Sequence, residues 1–274
     1  MKKFFRCCTI VLGAGLGLFL LAGFTLYLIG MQKLTKSYPD IPVQAITIPA
    51  DDAAIARGKH VAATWSCTYC HGDDLSGKLI EDNSYMGAIP ATNLTSGNGG
   101  VGKSYTDLDW VRAIRHGIKP NGRVEIKMGN YFPMSDQDLG DLIAYLKQLP
   151  PVDSSLPPMH IGWILPLAPA LGYELPAAEQ IDHNAQRPME LVQDASPEYG
   201  SYLSTICMGC HSSNLSSKFD GWSQDDFFRM MGTGALPDGK QLGPGMPLYS
   251  EMDDTELNAL WLYFQSVQTA KPQE

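Results

Sequence analysis

Cys67-Thr68-Tyr69-Cys70-His71 returns 140 positions later as Cys207-Met208-Gly209-Cys210-His211. Both stretches are C-x-x-C-H, the attachment sequence for c-type haem. The spacing has a mechanical reason. Two thiols a helical turn apart can add to the two vinyl groups on one edge of a porphyrin, and the next histidine then lies under the ring to ligate iron. The competing readings are a structural zinc site, a redox-active thiol pair and two short disulfides. A zinc ribbon sets its cysteine pairs about 15–20 residues apart, far closer than these. A thioredoxin-like site calls for an α/β setting, which the helical periodicity here does not offer. The expectation is therefore two covalent haem c groups, held by Cys67, Cys70, Cys207 and Cys210, with His71 and His211 as axial iron ligands.

Outward from the motifs, the chain repeats itself. Adding 118 carries Met128 to Met246, Tyr131 to Tyr249, Met134 to Met252, Leu139 to Leu257, Leu142 to Leu260, Leu146 to Phe264 and Tyr145 to Tyr263, with no gap. Leu139, Leu142, Ile143 and Leu146 fall at i, i+3, i+4 and i+7, so both copies close on an amphipathic helix, with Ser135 or Asp136 and Asp253 or Asp254 as candidate N-caps. An offset of 117 carries Asp109 to Asp226, Trp110 to Phe227, Arg112 to Arg229 and Gly117 to Gly234, which marks a second shared helix. The first copy holds extra residues between its motif and Trp110, including the glycine-rich Thr95 to Gly102.

A six-coordinate haem needs a second axial ligand, and methionine in that position raises the potential and suits electron transfer. Met246, between Gly243-Pro-Gly245 and Pro247, sits in a loop just before the last helix, and the repeat then selects Met128. Met134 and Met252 obey the same offset and remain rivals, although they lie at helix mouths, where apolar side chains commonly staple the start.

Lys2, Lys3 and Arg6 precede an uncharged stretch from Cys7 to Gln32, long enough for the roughly 20 apolar residues that cross a bilayer. A signal peptide carries a shorter apolar core of about 7–15 residues and a small-x-small cleavage site, so the stretch reads as a retained anchor. Cys7 and Cys8 stand at its charged start and read as small apolar or acylated residues. Because residues 1–31 hold three bases and no acid, the remainder carries 29 acids against 17 bases. That acidic surface disfavours nucleic acid and steers basic partner patches toward it. Adjacent acids such as Asp51-Asp52, Asp73-Asp74 and Asp225-Asp226 read as helix caps and dipole partners.

Prolines punctuate the rest: Pro39, Pro42 and Pro49 after the anchor, and seven between Pro150 and Pro176. The expected fold class is all-α, with two tandem haem domains after one N-terminal transmembrane helix. The boundaries are a cytoplasmic tail over 1–6, the anchor over 7–32, a tether over 33–50, haem domains over 51–152 and 193–271, and a Pro-rich linker over 153–192. Haem is attached to cysteine on the outer side of the bacterial inner membrane, so a single-pass protein with periplasmic haem domains is expected.

The chain resembles the class I cytochrome c family in both copies, over roughly 51–152 and 193–268. Each runs from a helix with Arg57-Gly58 or Tyr199-Gly200, through C-x-x-C-H, to a methionine loop and a closing helix. The first copy looks like the haem domains of cytochrome subunits that serve membrane-bound periplasmic dehydrogenases, through Ala91-Thr-Asn-Leu-Thr95, Trp110-Val-Arg-Ala-Ile-Arg-His-Gly117 and Leu149-Pro-Pro-Val152. The resemblance implies an electron carrier rather than an enzyme, working between a dehydrogenase or quinol-oxidising complex and a terminal oxidase or soluble cytochrome. Such subunits often carry three haems, whereas this chain has two motifs, and Met128 is followed by Gly129 where the family usually has proline. The alternative is a dihaem peroxidase, whose catalytic haem would take a second histidine or an open position. His60, His116, His160 and His183 are the spare histidines.

Overall fold

The computed structural model describes residues 2–209, 211, 215–243 and 245–269. Cys210 therefore lies outside the described residues. The chain opens on α1 (Lys2–Leu34), a helix of 33 residues whose most apolar window is uncovered by any other part of the protein. Its two C-terminal turns dock on the globular part, where Gly30 and Leu34 are buried.

Two helical units follow, built alike because the repeat places like residues at like joints. In the first, α2 (Asp52–Thr64) crosses α5 (Asp136–Leu146). In the second, α7 (Pro197–Ser204) crosses α9 (Asp254–Thr269). Both crossings need glycine: a Cβ on Gly58 would lie 1.9 Å from the Asp141 carbonyl oxygen, and one on Gly200 would lie 1.9 Å from that of Ala259. Arg57 locks the first crossing through Asp141, with Nε 2.6 Å from Oδ2. Leu139, Leu142, Ile143 and Leu146 are all buried, so the periodicity read from α5 is its core face. Burying each such side chain contributes about 1.5–3 kcal/mol.

The second shared helix is α4 (Asp107–His116) in one unit and α8 (Gln224–Thr233) in the other. Each begins with a capping box, Thr106 with Asp109 and Ser223 with Asp226, and each ends on a left-handed glycine, Gly117 and Gly234. At the closing helices the caps are Ser135, whose side chain accepts from the Asp138 N–H, and Asp253, whose carboxylate accepts from the Glu256 N–H at 2.9 Å.

The expectation of an all-α chain is corrected in the extra residues of the first copy and in the proline-rich segment that follows it. Strands β1 (Lys78–Asn83), β2 (Gly87–Ala91) and β3 (His160–Ile161) form an antiparallel sheet in that order. Asn83 reverses the chain, its Oδ1 accepting from the N–H groups of Tyr85 and Met86. A register shift between Leu79 and Glu81, with Pro90 inside β2, breaks the alternation that would have marked strands.

The segments between the units do not stand apart from them. Tyr38 N–H donates to the Gly122 carbonyl at 2.7 Å, and Arg187 and Pro188 bind Asp136 at the start of α5. The short helix α6 (Leu167–Ala170) lies against α1. A single apolar core joins both units, running from Trp65 and Leu142 to Tyr199, Tyr202, Phe227 and Phe264.

Candidate haem-binding site

Helix α2 ends at Trp65, and Ser66 in the left-handed region (φ 60°) turns the chain into the five-residue helix α3 (Cys67–His71). One turn of helix thus separates Cys67 from Cys70, as two neighbouring attachment points require. Burial, helped by the nearby Cys70, pushes the Cys67 thiol up to about 12. A thiol-exchange site stabilises the thiolate, so this environment is the opposite of a redox-active pair.

His71 follows directly. Its Nδ1 lies 2.7 Å from the Thr92 carbonyl oxygen, while burial holds the imidazole below its ordinary pKa. A neutral ring that donates Nδ1–H to a carbonyl keeps the Nε2 lone pair for a metal and is fixed in orientation. Thr92 comes from the end of β2, so the hairpin supplies both the carbonyl that aims the histidine and, through Ile80, Pro90 and Ala91, one wall of the site.

Cys67, Cys70 and His71 open onto a cavity of about 920 Å³, counting the part open to solvent. Met128 lines the same cavity, together with Leu94, Val101, Ile114, Tyr131, Leu142 and Leu146. Met134 is instead fully buried in the common core, and Met252 is its equivalent in the second unit. Trp110 also lines the cavity, and its indole Nε1–H is buried with no acceptor among the described residues. A largely apolar slot with two thiols, a neutral histidine, a thioether and one orphaned donor fits haem c, whose propionate oxygens can accept from an indole N–H.

One residue in this region was not singled out for a role from the sequence. Arg115 is buried, its Nη2 donates to the Met134 carbonyl oxygen at 2.8 Å, and its Nη1 lies 2.9 Å from Asp136 Oδ1. It ties the end of the methionine loop to α4. The signal was an arginine four residues after Val111 on the apolar face of α4.

In the second unit Cys207 is buried, and His211 is half-buried with its N–H donating to the Cys207 carbonyl at 2.9 Å. Met246 is half-buried and packs on the core. The four spare histidines go elsewhere. His60 Nε2 meets Glu256 at 2.9 Å, His116 and His183 face each other at 2.9 Å between Nδ1 atoms, and His160 is exposed on β3. None of the four lines the cavity.

Residues 55–150 match the cytochrome c family model, so this part of the chain is a cytochrome c domain. The chain is similar to the fructose dehydrogenase cytochrome subunit of Gluconobacter japonicus, 25% identical over 268 residues, covering 82% of this chain and 55% of the relative. It is also similar to the gluconate 2-dehydrogenase cytochrome c subunit of Pantoea cypripedii, 30% identical over 181 residues and covering 60% of this chain and 39% of that one. A third relative is the cytochrome c subunit of alcohol dehydrogenase (quinone) of Gluconobacter oxydans, 32% identical over 132 residues, or 45% of this chain and 27% of the relative. The chain thus spans about half, or less, of the length of these relatives.

Proposed function

We propose, from a cytochrome c domain over residues 55–150, that this chain is a dihaem electron-transfer subunit. In this reading α1 holds it in the bacterial inner membrane, and both haem units stand on the periplasmic side. The observation that carries the proposal is the shared cavity wall of Cys67, Cys70, His71 and Met128, together with the return of every one of those residue types in the second copy.

Cys67, Cys70, Cys207 and Cys210 would hold two haems by thioether bonds, and His71 with Met128, and His211 with Met246, would ligate the iron. Bound haem supplies a reversible one-electron couple. The chain's own residues set its working conditions. The Thr92 carbonyl orients His71, Arg115 anchors the loop that carries Met128, and the apolar lining keeps water away and favours the less charged state. The electron donor is a dehydrogenase of the kind named for the relatives or a quinol-oxidising complex. The acceptor is a terminal oxidase or a soluble cytochrome. The acidic surface suits partners with basic docking patches.

The test is haem stoichiometry. Protein made in a host competent for cytochrome maturation and extracted with acid–acetone is expected to keep two haems per chain by mass and by pyridine haemochrome absorbance. A single retained haem overturns the dihaem reading, and none overturns the whole proposal. Met128→Ala and Met246→Ala should each remove one methionine–iron absorption band. If both bands survive, the ligands are Met134 and Met252.

A further inference from the structure

The base of the globular part carries exposed apolar side chains beside the point where α1 leaves it. Residues 7–25 of α1 are all exposed, and cover begins at Leu26. At 1.5 Å per residue those 19 positions rise about 28 Å, close to the ~30 Å hydrocarbon thickness of a bilayer. Gly30 lies about 7 Å further along the axis, which is the depth of the headgroup layer.

At that level α6 is clamped across α1. The Pro166 carbonyl oxygen approaches so near that a Cβ on Gly30 would lie 1.7 Å from it. Lys33 Nζ donates to the Pro169 carbonyl at 2.9 Å, and Leu34 packs with Leu165 and Ile89. These contacts fix the height of the segment that includes α6 relative to the span.

This segment turns large apolar side chains outward. Trp163 is 59% exposed, Leu171 60% and Tyr173 69%. Tyr85, 56% exposed, meets Trp163 edge to face at 6.0 Å between ring centres. Trp and Tyr are the residues of membrane–water interfaces, where an apolar ring and a polar tip find different solvents. Glu174, next to Tyr173, is paired with Lys127 at 2.5 Å.

We infer that the 163–173 segment lies in the headgroup layer of the same bilayer that α1 crosses, with Trp163, Leu171, Tyr173 and Tyr85 embedded among the lipids. A single helix leaves its globular part free to swing; a second contact, rigidly joined to the first, sets the tilt of both cofactor units over the membrane. The inference rests on α1 being a span.

The experiment places the photoreactive p-benzoylphenylalanine at Phe19, Leu171 or Leu248 in the full haem-loaded chain, reconstituted in phosphatidylethanolamine–phosphatidylglycerol vesicles. Leu248 is exposed on the second unit and serves as the control. Irradiation followed by mass spectrometry is expected to give lipid adducts at 19 and 171 and none above background at 248. Adducts at 19 without adducts at 171 overturn this inference alone, and no adducts at 19 overturn the anchor itself. Adducts at 248 equal to those at 171 also sink it, because contact would then be unselective. So does a change from lipid to protein adducts at 171 in native membranes, since a partner subunit would cover the patch.

Discussion

Arg115 and His116 are neighbours on α4, and both are buried, but they answer to different forces. Arg115 is held by the Met134 carbonyl and Asp136. Replacing it with Leu leaves that carbonyl without its donor, which costs about 1–3 kcal/mol. Arg187 still neutralises Asp136, with Nε 2.5 Å from Oδ1, so the loss stays at the level of a hydrogen bond. The expected result in a denaturant titration is a lower midpoint for Arg115→Leu and, under the proposed ligation by Met128, loss of that methionine–iron band before the helical signal. His116 is pushed down to about 4, chiefly by burial and then by His183 and the arginines nearby. An unfolded histidine titrates near 6.5, so between those values the unfolded chain binds the extra proton and stability rises with pH. Going from pH 7 to pH 5 should therefore cost roughly 2 kcal/mol at this site. His183, also held low by burial, adds in the same direction. His60, raised by its bond to Glu256, works the other way: its contribution is complete below 6.5 and fades as pH rises through its folded value. Melting temperatures of the wild type and His116→Phe at the two pH values check this, and a variant as acid-sensitive as the wild type refutes it.

The helix crossings are the natural unit of the next scale. Gly58→Ala puts a methyl group against the Asp141 backbone, and Gly200→Ala does the same against Ala259; neither carbonyl can swing aside as a side chain can. Overpacking of this kind costs about 1–3 kcal/mol or more. Each variant should lower the midpoint of the one transition the two units share, visible as a melting temperature below that of the wild type in the helical circular-dichroism signal. These crossings were partly legible beforehand, because the gapless offset placed Leu139, Leu142 and Leu146 on a core face and paired Tyr145 with Tyr263. That Cys67, Cys70 and His71 meet on one cavity wall was legible, because the C-x-x-C-H spacing puts the two thiols one helical turn apart with the histidine beside them. The hairpin β1–β2 was not, since a bulge and Pro90 erase its period within six residues of strand. For the same reason the carbonyl of Thr92 could not be foreseen as the partner of His71. Its position depends on the hairpin returning to α3, a tertiary meeting of segments 21 residues apart.

At the level of the whole molecule the two units share a core, so they should not unfold as separate domains. Trp65, two residues before the first motif, packs edge-on against Tyr202 of α7 at 5.2 Å between ring centres. The Tyr202 hydroxyl donates to Asp138 at 2.5 Å and accepts the Ser135 N–H at 3.0 Å, which places a residue of the second unit inside the N-cap of α5. His60 of α2 reaches Glu256 of α9 from the other side. Tyr202→Phe keeps the ring and its packing but removes the hydroxyl. Asp138, whose pKa burial already raises, then keeps only its bond with the Ser135 side chain, and the Ser135 N–H loses its acceptor. The N–H left unsatisfied costs about 1–3 kcal/mol, and the weakened carboxylate adds to it. Because that loss falls on the joint and leaves both crossings intact, it should weaken the coupling more than either unit. Under the proposed dihaem reading, the wild type is expected to lose both methionine–iron bands in one cooperative transition, and Tyr202→Phe in two separated ones. Coincident transitions in the variant would mean that the aromatic contact at Trp65, and not the hydroxyl, joins the units.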